Sequence, residues 1–188
     1  METITKKKLR LLLFEKCLRS CEGCCNKQFD LQNLPQVLLP EEYANYREVI
    51  LTGGEPLLYP GIVMETIREV RQYSDASIYL YTSCFNKPEI FNCILKLIDG
   101  VCVTFHDKED PLVFKKVLKY IPIDIKRSKS LRLNVFKGID IWKTYTMLEL
   151  REWEIKEDIV WINPCPLPEN EVFKRLPLDT VRPVDDIV

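Results

Sequence analysis

A chain of 188 residues is long enough to bury one sizeable core, and a composition of 46% hydrophobic and 29% charged residues excludes the disordered and fibrous classes. The formal net charge of -1 gives no global electrostatic case for nucleic acid or an acidic partner. No apolar run reaches the roughly 20 residues of a spanning helix, and the run 9–14 after Lys6-Lys7-Lys8 is interrupted by Arg10 and ended by Glu15-Lys16, so neither a membrane segment nor a signal peptide is expected.

Residues 9–14 are a short apolar run, the pattern of a strand buried on both faces. The cysteine-rich segment Cys17-Leu18-Arg19-Ser20-Cys21-Glu22-Gly23-Cys24-Cys25 follows it. Residues 48–52 form a second strand, stopped by Gly53-Gly54. Residues 61–73 read as helix, with Val63, Ile67 and Val70 at helical spacing and Pro60 just before them. A strand at 77–82 ends in Thr82-Ser83-Cys84, and a helix at 88–98 carries Ile90, Ile94 and Leu97 on one face. Strand 101–105 precedes a helix at 111–121, where Phe114, Val117 and Ile121 oppose Lys115, Lys116 and Lys119. Strand 131–136 bears Asn134, 140–152 reads as a helix through Ile141, Tyr145 and Leu148, and 159–162 as the last strand. From Asn163 the chain is proline-rich and aperiodic, a loop packed over the sheet or a partner-facing segment.

Strands alternating with helices of this length predict an α/β fold with right-handed crossovers and a largely parallel sheet. Residues 1–162 form the expected core, and 163–188 a tail that is not a separate domain. Ligand sites in such sheets lie beyond the carboxyl ends of the strands. The cysteine segment, Gly53-Gly54-Glu55-Pro56 and Thr82-Ser83 each follow a strand, so all are expected on one rim.

The eight cysteines of a chain read as cytoplasmic should be mostly free or metal-bound. Thiolates suit zinc or iron–sulfur clusters, and Cys17, Cys21 and Cys24 are close enough in sequence to wrap one compact centre. Three ligands to a four-iron cluster leave one iron open to a substrate or cofactor. Cys25 adjoins Cys24 and is a poor fourth ligand, whereas Cys165 can reach the site in a folded chain. The alternative is a structural zinc site with a distant fourth ligand. Cys84, Cys93 and Cys102 sit among apolar neighbours and read mainly as core residues.

Gly53 and Gly54 permit unusual backbone or close ligand approach, Pro56 restricts the residue before it, and Glu55 can accept a charge-assisted hydrogen bond from an amine or else face solvent. Thr82, Ser83 and Asn134 offer hydroxyl and amide groups to a carboxylate or ribose, or cap turns, as Asn26 also can. His106, the only histidine, is a candidate for proton transfer or anion binding, or is a neutral structural residue bonded to Asp107. Trp142, Trp153 and Trp161 read as packing residues, and the cluster Lys126, Arg127, Lys129, Arg132 and Lys137 as a solvated strand edge or a phosphate or acidic-surface contact.

Cys-x-x-x-Cys-x-x-Cys after a first strand, followed by Thr52-Gly53-Gly54-Glu55-Pro56 after the next, resembles the radical S-adenosylmethionine superfamily. The loop Cys21-Glu22-Gly23-Cys24-Cys25-Asn26 is most similar to that of the small glycyl-radical-enzyme activases, such as the protein that activates anaerobic ribonucleotide reductase. The resemblance covers roughly residues 9–136 and implies a compact partial (β/α)6-type barrel. It implies an oxidoreductase in which Cys17, Cys21 and Cys24 hold three irons of a [4Fe–4S] cluster while S-adenosylmethionine takes the fourth. Gly53, Gly54, Glu55 and Pro56 would then serve its methionine amino group. Reductive cleavage would yield a 5′-deoxyadenosyl radical that abstracts hydrogen from a substrate: a glycine of a partner enzyme, or else a peptide or small metabolite. A flavodoxin or ferredoxin would supply the electron. One departure is Gly23, where the superfamily often has an aromatic residue near adenine; Phe29 or Cys25 would have to cover the nucleotide differently.

Overall fold

The computed structural model describes residues 6–177. Seven strands form one sheet in the order β6-β5-β4-β3-β2-β1-β7, and every pairing is parallel. The strands are β1 (Lys7–Leu12), β2 (Tyr46–Thr52), β3 (Ser77–Thr82), β4 (Gly100–Phe105), β5 (Ser130–Phe136), β6 (Glu154–Ile159) and β7 (Glu171–Arg175). The α/β expectation therefore holds, with seven strands where six were expected. β6 and β7 lie at opposite ends of the strand order, and no pairing between them closes the sheet among the described residues.

Four helices accompany the sheet: α1 (Pro60–Tyr73), α2 (Pro88–Leu97), α3 (Asp110–Leu118) and α4 (Ile123–Ser128). Proline stands in the first turn of α1, α2 and α3, where its missing N–H leaves no intrahelical bond unmade. The core joins Leu9, Leu11, Val49, Leu51, Ile78, Leu80, Val101, Val103, Leu131 and Leu133 with Val63, Ile67, Ile94 and Phe114 from the helices. These strand residues alternate in sequence and share one face of the sheet.

The opposite face is unlike the all-apolar surface usual in parallel sheets. It presents Arg10, Tyr79, Tyr81 and Asn134, all half-buried, and the exposed Arg132. Arg10 pairs with Glu171 at 2.7 Å and Arg132 with Glu154 at 3.3 Å. The guanidinium of Arg132 also lies 5.8 Å from the Tyr79 ring. This face explains the strict alternation of β3 and β5, in which every second residue is buried.

Three sequence expectations change. Segment 140–152 is not an α-helix; it holds one short 3-10 turn at Ile141–Lys143 followed by turns. Its polar side chains bond the local backbone instead, Asp140 accepting from the Trp142 N–H and Glu149 from the Thr146 N–H. The strand expected at 159–162 lies earlier, as β6, and pairs with β5. The tail beyond Asn163 contains β7, which joins the sheet beside β1, so part of it belongs to the core. Residues 178–188 of that tail lie outside the described residues. Among the described residues no helix is long and apolar enough to cross a membrane.

Candidate functional site

The segment between β1 and β2 crosses the carboxyl end of the sheet, with short 3-10 turns at Cys25–Gln28 and Leu31–Asn33. It is braced from below by Arg175, whose buried guanidinium donates to the Leu31 carbonyl at 2.7 Å and to Glu15 at 3.3 Å. At its start the chain runs against the Gly53-Gly54 turn. The Gly54 N–H donates to the Phe14 carbonyl at 2.8 Å and the Glu55 N–H to the Lys16 carbonyl at 3.0 Å. A Cβ on Gly54 would lie 2.1 Å from the Lys16 oxygen, and one on Gly53 2.7 Å from the Phe14 oxygen. Neither glycine has a positive φ. They are required by the close approach of another chain segment, and this approach carries the cysteine loop.

A cavity of about 390 Å³ opens between this loop and the strand exits. Cys17, Cys21, Cys24, Gly53, Gly54 and Ser83 line it, together with Arg19, Asn26, His106 and Trp161. Six of the predicted site residues thus meet on one rim. Cys17, Cys21 and Cys24 are free thiols there. Burial raises the pKa of Cys21, and the neighbouring Cys24 adds to the effect against the opposing pull of Arg19. A metal bound at Cys21 would therefore displace a proton.

Cys25 also borders the cavity but is bonded to Cys165, which takes both residues out of reach as ligands. The expectation of mostly free cysteines holds for the other six. Cys102 is buried and Cys84 half-buried, but Cys93 is exposed and not a core residue. Among the described residues no three His, Cys, Asp or Glu side chains converge as a group able to hold a metal ion. The three free thiols border a shared space instead of converging on a point.

Glu55, Pro56 and Thr82 stand behind the cavity wall. The Glu55 carboxylate is only 2% exposed. One oxygen accepts from the Leu57 N–H at 3.2 Å and from the Thr82 hydroxyl; the other accepts from the Ser83 N–H at 2.9 Å and the Ser83 hydroxyl at 3.2 Å. Burial pushes this carboxyl above the ordinary range, although its hydrogen bonds pull the other way. Glu55 locks the exit of β2 to the exit of β3, and Pro56 opens the short turn after it. Asn134 is remote from the thiols. It lines a separate recess of about 210 Å³ on the open sheet face, with Tyr81, Cys102, Arg132, Glu154 and Lys156.

Several residues at the site carried no decisive sequence signal. Arg19 donates to the Ser83 carbonyl at 2.7 and 3.1 Å and pairs with Asp110 at 2.6 Å and Asp107 at 2.7 Å. It thereby ties the cysteine loop to the exits of β3 and β4. Asp110 in turn accepts from the backbone N–H groups of His106 and Asp107. Asn26 donates to the Gly53 carbonyl at 2.6 Å. His106 packs against both Phe136, at 4.8 Å between centroids, and Trp161, stacked at 5.3 Å and 8°, and those two rings touch each other at 4.2 Å. Burial depresses its pKa, Arg19 adding to the effect, so the imidazole is neutral near pH 7. Its Nδ1 is buried without a hydrogen-bond partner among the described residues.

Of the three tryptophans only Trp153 is a core residue. Trp161 sits on Gly23, where an added Cβ would meet its ring at 2.5 Å. Phe29, a candidate cover for a nucleotide, instead packs edge-on against Phe173. In the basic cluster, Arg127 and Arg132 pair with Glu152 and Glu154, and Lys129 donates to the Lys96 carbonyl, as befits a solvated edge. No protein-family model matches the chain, and no curated protein matches it.

Proposed function

We propose that this chain is a radical S-adenosylmethionine enzyme built on a partial barrel, with Cys17, Cys21 and Cys24 as the protein ligands of a [4Fe–4S] cluster. The observation that carries the reading is the sharing of one rim cavity by these three free thiols and the Gly53-Gly54 turn, while Cys25 is held by Cys165. The donor set fits a cluster with one iron left to a cofactor. When bound, the cluster with an electron from a flavodoxin or ferredoxin supplies the reductive cleavage of S-adenosylmethionine to methionine and a 5′-deoxyadenosyl radical, which abstracts hydrogen from the substrate.

The chain's own residues have separate tasks. Gly53 and Gly54 bring main-chain groups to the cavity wall, and Glu55 fixes that wall from behind. Arg19 fastens the ligand loop to the neighbouring strand exits and places a cation at the cavity. Neutral His106 and Trp161 form a stacked aromatic wall on one side of the cavity. The substrate within this reading is a glycine in a glycyl radical enzyme. The open polar face of the sheet supports it, since a partly solvated surface suits a protein segment better than a sealed small-molecule pocket does.

Anaerobic reconstitution followed by iron and sulfide analysis, with assay of 5′-deoxyadenosine after reduction, tests the enzyme class. Four irons and four sulfides per chain are expected, lost in Cys17→Ala, Cys21→Ala and Cys24→Ala but kept in Cys25→Ala. Zinc without sulfide after reconstitution would overturn the reading. For the substrate, a glycine-centred electron paramagnetic resonance doublet on a candidate glycyl radical enzyme is the expected result. Conversion of a peptide or metabolite with no partner radical would replace it.

A further inference from the structure

The strand β6 ends at Ile159, and the chain then runs over the cysteine loop to Cys165. Val160 and Ile162 are 57% and 60% exposed, so this strap is not anchored in the core. Ring packing and hydrogen bonds hold it down. The ring of Trp161 is seated on Gly23, stacked on His106 and tilted against Phe136 at 4.2 Å between centroids. Gln28 donates to the Ile162 carbonyl at 3.4 Å and accepts from the Cys165 N–H. The Cys25–Cys165 disulfide is the only covalent tie, and both sulfurs belong to half-buried residues with exposed neighbours at Asn163, Pro164 and Pro166.

Trp161 borders the main cavity beside Cys17, Cys21 and Cys24. It also borders an outer recess with Cys21 and Glu22, and another with Gly23, Cys24 and Asn163. The ring is therefore a partition over the stretch of loop that carries Cys21 and Cys24.

We propose that Cys25–Cys165 is an exchangeable latch: closed, it holds the 160–165 strap and Trp161 over the thiol cavity, and opened by a dithiol it gives a ligand access to Cys21 and Cys24. In closing, the two protein thiols react with a low-molecular-weight disulfide, RSSR. One S–S bond forms, one breaks, and two RSH leave with the two electrons and two protons. In opening, a dithiol donates two electrons and two protons and becomes a cyclic disulfide. With the latch open, the remaining contacts of the strap are the packing of the partly exposed Trp161 ring on Gly23, His106 and Phe136 and two hydrogen bonds at the surface, the kind of local structure that opens far below the global unfolding free energy. This goes beyond the enzyme reading and does not depend on it, because the thiols and the strap are protected or exposed whatever group the cavity takes.

The test uses the full chain without metal, under anaerobic conditions. One sample is oxidised with glutathione disulfide and the other reduced with dithiothreitol, and the small molecules are removed from each. Both are pulsed with N-ethylmaleimide, and the rates at Cys21 and Cys24 are read by peptide mass spectrometry on chains free of glutathione adducts. The expected result is a crosslinked Cys25–Cys165 peptide in the oxidised sample and modification of Cys21 and Cys24 roughly tenfold faster in the reduced one. Cys165→Ser and Cys25→Ser should both show the fast rate after either treatment. Equal rates in the two redox states of the unmutated chain, or no crosslinked peptide after oxidation, would overturn the proposal. The central comparison needs no variant, so misfolding of a serine variant does not blunt it.

Discussion

Glu55 offers a sharp test of how the rim is built, because the sequence reading and the structure assign it different work. A residue that binds a cofactor amine should affect affinity and leave stability nearly untouched. In the structure its carboxylate is buried and takes four donors: the N–H groups of Leu57 and Ser83, and the hydroxyls of Thr82 and Ser83. Glu55→Ala strands two backbone donors at about 1–3 kcal/mol each, while the hydroxyls can rotate to other acceptors, so a loss of about 4 kcal/mol is expected. That is a large share of the roughly 5–15 kcal/mol of a typical domain. Glu55→Gln keeps the volume and one accepting oxygen but turns an amide N–H₂ toward two donors, and about 2 kcal/mol should be lost. Denaturant unfolding of the metal-free chain measures both, with an unchanged slope required for the comparison. Because burial raises the Glu55 pKa in the fold, its protonated form is favoured there. Its contribution is complete below the unfolded carboxylate pKa and is lost as pH rises through the higher folded value. The gap between the unmutated chain and Glu55→Gln should accordingly narrow with rising pH across that window. Variants within about 0.5 kcal/mol of the parent, paired with weakened S-adenosylmethionine binding, would refute the structural role and restore the ligand role.

Other consequences are equally direct. Arg19→Ala removes the partner of Asp110, a side chain only 7% exposed, and should lower stability by about 3 kcal/mol in the same assay; a change near zero would show that the loop does not rely on this tie. His106 has its pKa depressed by burial and by Arg19, while Asp107 and Asp110 pull upward. The stability from its neutral form is present above the unfolded value and lost as pH falls below it, so melting between about pH 7 and pH 5 should fall more steeply in the parent than in His106→Gln. Identical slopes would contradict this. Gly23→Ala drives a methyl into Trp161 and should destabilise by about 1–3 kcal/mol. Combining it with Trp161→Ala should recover most of that loss, and strict additivity would show that the two residues do not touch.

The amphipathic helices and buried strands were legible because their apolar spacing matches one covered face. α1 and α2 differ from the expected spans by only a residue at one end. β6 and β7 were not legible. As outer strands they carry Glu154, Lys156, Glu157, Glu171 and Lys174, and their few apolar residues show no useful period. Segment 140–152 had helical spacing, yet Asp140 and Glu149 compete for the backbone, and Tyr145 is fixed by a hydrogen bond to the Pro111 carbonyl. At the site, Cys17, Cys21, Cys24, Gly53, Gly54 and Ser83 converge because each follows a strand and parallel order puts strand ends together. Glu55 follows β2 and Thr82 ends β3, but their side chains turn into the body. Trp161 was beyond reach, since its relation to Gly23 depends on a packing between distant parts of the chain.

The sheet's order also sets a schedule for its synthesis. β1 through β6 are laid down side by side in the order in which they are made, each able to join its predecessor as it appears. β7 breaks that order: the last of the described strands returns to the first, bringing Arg175 to Glu15, 160 residues earlier in the chain and 3.3 Å away. Long-range pairing of this kind is slow relative to local folding. A growing chain therefore displays the cysteine loop long before the brace beneath it can form, and a ribosome-bound chain ending before residue 171 should leave Cys17, Cys21 and Cys24 open to oxidation. The thiols acquire their final enclosure only when β7 is free to come home.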